Sequence, residues 1–303
     1  MLLDYTTGEQ PPRRDMAAEG VRTAGLLDLG KLLEYLGNKT SARTLSSIRG
    51  GVKAAPDEFY RTEGLFIDPR ARLMKDTGPS YQGRTLKKYK SLRDLVENGQ
   101  TLRDYLDGTE AADVFGRHFG HIRVGRADLP AGYGAGYTAP TGFVDPATGQ
   151  YRNVQNGFLA VGADATRDDI GPLFEHEIQH AYQGLLDMPR GTNLDEMSGP
   201  MVEYLTEIGK LRPAQNARIT AAAKDQGASA PFMRYSSATG EAEARAAEVR
   251  YRGMQEGYDV GMPRPEEYLW THSGPQLQKS MLFDIPQDTQ SGFDAWWKQK
   301  WAK

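Results

Sequence analysis

The chain has 303 residues, 40 acidic and 37 basic, for a formal charge of −3 with His neutral. That balance argues against a dedicated nucleic-acid binder, which needs a basic excess against phosphate, and against an acidic, self-repelling tail. With 39% hydrophobic residues and no cysteine, the chain can bury a core but can build no disulfide or thiolate site, so any metal must be held by His, Asp or Glu.

In chain order, residues 1 to about 20 carry Thr-Thr-Gly, Pro-Pro and Arg-Arg and read as an extended arm. Leu26, Leu27, Leu29, Leu32, Leu33 and Leu36 predict a short amphipathic helix. Residues 40–100 mix apolar runs such as Leu65-Phe66-Ile67 with turn formers, as in a small mixed α/β unit. A helix is expected from Thr101 to Phe119, a strand around His121–Val124, and a β-meander over the Gly- and Tyr-rich residues 131–163. From about 165 to 256 the pattern is helical. The tail, 257–303, has Pro263, Pro265, Pro275 and Pro286, then an aromatic end at Phe293, Trp296, Trp297 and Trp301. No apolar run approaches the roughly 18 residues that span a bilayer. The first twenty residues also lack the order of a secretion signal. The expectation is a soluble, non-exported α+β protein.

The chemistry lies in Thr166 to Gln183. Thr166 and Asp169 suit a capping-box helix start, and Pro172, tolerated in the first turn, places that start near Asp168 or Asp169. Ile170, Leu173, Phe174, Ile178, Ala181, Tyr182 and Leu185 supply a buried stripe. Within it lies His176-Glu177-Ile178-Gln179-His180. At i and i+4 both imidazoles project from one face and can bind one Zn²⁺, and Glu177 between them suits a general base acting on the attacking water. The competing reading is a helix with two histidines near its surface.

A catalytic zinc needs a third protein ligand. The metzincin spacing is excluded, because Gln183 and Leu186 stand where its Gly and His would be. The other histidines are His118, His121 and His272. A glutamate from a later helix is the common alternative, and Gly240-Glu-Ala-Glu-Ala-Arg-Ala-Ala-Glu248 offers Glu241 or Glu243, with small residues that allow close packing. Without the histidine motif this segment reads as a solvated helix with Glu241 and Arg245 paired at i,i+4.

His176-Glu-Ile-Gln-His180-Ala-Tyr-Gln183, followed some 60 residues on by Gly240-Glu-Ala-Glu-Ala-Arg245, resembles the zincin-like metallopeptidase domain of large polyvalent proteins of phages and conjugative elements. Glu58 to Phe66, Lys75-Asp76, Thr101 to Asp107 and Phe119 to Val124 resemble that domain's upstream segments. The resemblance covers about residues 45–256, leaving residues 1–44 as an arm with a short helix and 257–303 as an extension. It implies a zincin-like fold with a small mixed sheet, an active-site helix and a helical subdomain. It further implies a gluzincin-like zinc peptidase with His176, His180 and a Glu as ligands and Glu177 as base. It favours Glu241 over Glu243 as third ligand, leaving Glu243 or Arg245 to orient ligands from behind. Tyr235 is a candidate donor to the oxyanion. The implied partner is a protein substrate, host or virion, in the phage particle or infected cytoplasm, with no membrane role. The alternative is a catalytically silent virion protein that keeps the fold as a scaffold, with the Trp-rich tail for docking. Two departures stand out: Gly64-Leu65 replaces the domain's usual tryptophan-glycine, and residues 184–239 carry extra Ala- and Arg-rich helical sequence bearing on substrate access.

Overall fold

The computed structural model describes residues 26–37, 42–76, 97, 101–106, 110–129, 134–144, 151–165, 167–255 and 277–301. The arm over residues 1–20, the cap Thr166, His272 and the prolines at 263, 265 and 275 lie outside them.

The first strand, β1 (Leu26–Asp28), runs directly into α1 (Leu29–Tyr35). The sequence expectation put Leu26 and Leu27 in the helix. Asp28 ends the strand instead, because its Oδ1 accepts the amides of Gly30 at 2.8 Å and Lys31 at 3.2 Å and so caps α1. Helices α2 (Ala42–Ala54) and α3 (Pro56–Glu63) follow, then β2 (Leu65–Ile67) and β3 (Leu73–Asp76). These strands form an antiparallel sheet in the order β1-β3-β2. Residues 26–28, expected in the segment ahead of the main domain, are thus hydrogen-bonded into the sheet.

The helix expected from Thr101 to Phe119 is two, α4 (Leu102–Leu106) and α5 (Glu110–Phe119). The start of α4 is held by Thr101 and Asp104, each capping the other's backbone amide. Strand β4 (Ile122–Ala127) pairs in parallel with β8 (Gly157–Gly162), and β5 (Ala135–Thr138) pairs with β8 antiparallel. The hairpin of β6 (Thr141–Val144) and β7 (Tyr151–Gln155) forms its own two-stranded sheet. The expected meander is therefore not sequential: β8 returns to the middle of β4-β8-β5. Its Leu159, Ala160 and Val161 are consecutively buried, as a central strand requires, so strict alternation is absent.

Helix α6 (Arg167–Leu185) carries the histidine motif. It begins earlier than its proline suggests, so Pro172 falls in the second turn, where the Asp168 carbonyl loses its i+4 donor. Then come α7 (Leu194–Ser198), α8 (Pro200–Glu207), α9 (Pro213–Asp225), α10 (Ala230–Ser237) and α11 (Thr239–Gln255). A 3₁₀ turn at Lys279–Met281 precedes α12 (Thr289–Trp301).

Two cores result. One joins the sheets to α6 through Phe66, Met74, Leu159, Val161, Phe174, Ile178 and Tyr182. The other joins α7 to α11 with Leu277, Met281, Leu282, Phe283 and Ile285, so the segment expected as an extension supplies core side chains. Helix α11 is the seam, giving Ala246 to the first core and Ala242 to the second. In α12, Trp296 packs on Tyr204 and donates to Glu207, whereas Trp297 and Trp301 are 41% and 58% exposed. Among the described residues, no helix is long and apolar enough to cross a membrane.

Candidate metal centre

Helix α6 is amphipathic only in a weak sense, because it is covered nearly all round: Glu175, His176, Glu177, Gln179 and Gln183 are buried beside the apolar stripe. Buried polar groups cost several kcal/mol unless partnered, of order 2–7 kcal/mol each by transfer scales, and partners for Glu175, His176 and Gln183 come from α4 and α11. Glu175 accepts from Tyr105 Oη at 2.9 Å on the sheet side. The opposite side meets α11, whose acids are not solvated as a surface helix would leave them: Glu241, Glu243 and Glu248 are at most 2% exposed.

His176, His180 and Glu241 each offer a ligand atom, all within 4.8 Å of one another, and this group could hold a metal ion. The two Nε2 atoms are 3.2 Å apart. Glu241 spans them, with Oε2 3.5 Å from His176 Nε2 and Oε1 3.5 Å from His180 Nε2. Glu241 Oε1 also accepts the Thr192 amide at 2.9 Å, whereas Oε2 is buried with no hydrogen bond. A buried carboxylate oxygen left unbonded beside two imidazole nitrogens is one that a bound cation would satisfy, and two imidazoles with one carboxylate are a donor set suited to it.

Glu243 faces elsewhere. Its Oε1 is ion-paired with Arg72 and its Oε2 accepts from Gln183 at 3.2 Å. Arg72 is itself held by Asp68, Nε to Oδ2 at 2.7 Å. Arg245 does not pair with Glu241 at i,i+4; its Nη1 lies 3.2 Å from Glu248, and its Nη2 donates to Tyr235 Oη at 3.2 Å. Glu248 in turn lies 3.5 Å from His176 Nδ1, without an aligned hydrogen bond.

The electrostatics follow from this crowding. Burial pulls the His176 pKa down, but Glu241 and Glu248 outweigh it and carry it up to about 9. Burial likewise pushes Glu241 and Glu248 up, and the side chains beside them, His180 and His176 for Glu241 and His176 and Arg245 for Glu248, bring each down to about 2. Glu177 is raised, mainly by burial, with the two histidines opposing. Tyr235 is raised by burial and by the charge of Glu241, so it stays a neutral phenol beside the site.

The sequence-predicted residues His176, Glu177, His180, Tyr235 and Glu241 are therefore brought together. Gln183, Glu248, Gly191 and Thr192 were not anticipated in the roles they take. A faint signal existed for two of them, since Gln183 is one turn beyond His180 and Glu248 two turns beyond Glu241; the loop residues gave none.

That loop is pressed onto the site. A Cβ on Gly191 would lie 2.4 Å from both Glu241 Oε1 and His180 Cε1, and one on Gly240 would lie 2.3 Å from the Arg190 carbonyl carbon. The loop is pinned from behind by Arg190 N donating to Ile285 O at 2.8 Å and Gln287 Nε2 to Met188 O at 2.7 Å. Gly240→Ala must therefore move backbone, and is expected to lower stability by about 1–3 kcal/mol or more. Gly184→Ala, with nothing near its Cβ in α6, is expected to raise it by up to about 0.5–1 kcal/mol. Denaturant unfolding of the two variants checks the opposite signs.

No protein-family model, curated protein or solved structure matches this chain.

Proposed function

We propose that the chain is a zinc-dependent peptide hydrolase of the zincin kind, with His176, His180 and Glu241 as the metal ligands. The observation that carries this reading is the convergence of these three side chains, within 4.8 Å, beside a buried carboxylate on the same helical turn, Glu177. Zinc held there would polarise the scissile carbonyl and make water a nucleophile near neutral pH. Glu177 takes the proton of the attacking water on its carboxylate and returns it to the leaving amine; burial lifts its pKa toward the range useful for both steps. Tyr235, kept neutral, donates its hydroxyl hydrogen to the oxygen that becomes negative. Arg245 and Glu248 hold Tyr235 and His176 from behind.

The resemblance to phage polyvalent proteins supports a substrate among host or virion proteins, in the particle or the infected cytoplasm. A scaffold reading is favoured by one observation, the exposed Trp297 and Trp301 on α12, which suit docking. The discriminating experiment is hydrolysis of an unfolded protein before and after chelation. The enzyme reading expects cleavage that chelator stops and zinc restores. Cleavage insensitive to chelator, or none at full zinc loading across a range of unfolded and virion proteins, contradicts it.

A further inference from the structure

A histidine binds metal through a bare nitrogen, and which nitrogen is bare depends on what the other one meets. His180 Nδ1 lies 2.8 Å from Gln183 Oε1. An amide can be turned either way, so the neighbours of its nitrogen decide. Gln183 Nε2 sits 2.9 Å from the Gly240 carbonyl oxygen and 3.2 Å from Glu243 Oε2, both acceptors. Turning the amide over would set its oxygen against both of them. Glu243 keeps its place through Arg72, which Asp68 grips by both its backbone amide, at 2.6 Å, and its guanidinium. The orientation of Gln183 is thereby fixed, and all of its polar atoms are used inside the protein, where it is fully buried.

Because Gln183 Oε1 can only accept, the His180 proton must stand on Nδ1. That leaves Nε2 without a proton, 3.2 Å from His176 Nε2 and 3.5 Å from Glu241 Oε1. We propose that Gln183, braced by the chain Glu243–Arg72–Asp68, is a positioning residue that sets the tautomer and ring orientation of His180 before any metal arrives. The chain runs from the β2–β3 turn to the metal-facing side of α6, so it ties the site to the sheet. This deepens the zinc reading and rests on the same three ligands, but it is tested on metal-free protein.

The experiment is a long-range ¹H–¹⁵N correlation spectrum of chelator-treated, ¹⁵N-labelled protein at about pH 8.5, where a model imidazole is neutral. His180 is assigned by the signals missing in His180→Ala. The expected result is the Nδ1–H pattern for His180 in the parent. In Gln183→Met, which keeps length and removes the acceptor, that pattern is lost. Zinc affinity, measured by competition with a chromogenic chelator, should fall by about 10–100-fold in that variant, the usual effect of losing a residue that orients a ligand. An Nε2–H pattern in the parent overturns the proposal, even if the variant fails to fold. So does a folded Gln183→Met that keeps the Nδ1–H pattern with affinity within about threefold of the parent, a change well below that range. Neither spectrum depends on peptide hydrolysis, so a failure of the enzyme reading is distinguishable from a failure of this one.

Discussion

Glu241→Gln is expected to abolish stoichiometric metal binding, with an affinity loss beyond the roughly 100-fold that marks the limit for ligand-orienting residues. The carboxylate is the only anionic group spanning both imidazoles among the described residues that form the cluster. An amide can still accept the Thr192 N–H through its oxygen, so the fold has a reason to survive. What is lost is the second oxygen, Oε2, which lies 3.5 Å from His176 Nε2 and makes no hydrogen bond. Glu243→Gln should behave differently. It weakens a buried ion pair with Arg72, for which removal of one partner costs about 3–5 kcal/mol of stability, yet metal affinity should drop by no more than about 10–100-fold. Titration of both purified variants with zinc checks the contrast. Metal retained in Glu241→Gln and lost in Glu243→Gln would reverse the assignment.

Glu177→Gln carries the second large effect. Hydrolysis should fall by about 10²–10⁴-fold, the range attributed to a positioned general base, while metal content stays that of the parent. Glu177 is buried, its pKa is raised chiefly by that burial, and it is not one of the three clustered ligands. The isosteric amide removes a charge that the site desolvates, so the melting temperature should hold or rise. A variant that cleaves as fast as the parent would remove Glu177 from the chemistry.

The readable part of the site is its local part. Two histidines four residues apart on a helix, and an acid placed among small residues on a later helix, are patterns that helical geometry makes visible in sequence. Choosing Glu241 over Glu243 needed the family resemblance, because both acids turn inward: α11 is covered on several sides, with Glu241 under the loop at Gly191 and Glu243 against Gln183 and Arg72. That covering is long-range and left no periodic trace. Thr239 N donates to Phe283 O at 2.8 Å and Phe283 N to Ser237 O at 3.1 Å, so the residues just before Glu241 are held by a segment over 40 positions away. The same holds for the sheets. Strand β8 was legible as a strand, but its placement between β4 and β5 is fixed by partners 20 or more residues upstream. The early misreading of Leu26 and Leu27 has a local cause, since an apolar run fits either element until the capping bonds of Asp28 decide.

Metal analysis of the purified protein, prepared without chelator and then offered zinc, tests the central claim most directly, with His180→Ala treated in parallel. Three converging ligands predict about one zinc per folded chain and none in the variant. A folded parent that takes up no metal, or a His180→Ala that binds as much as the parent, would contradict the site.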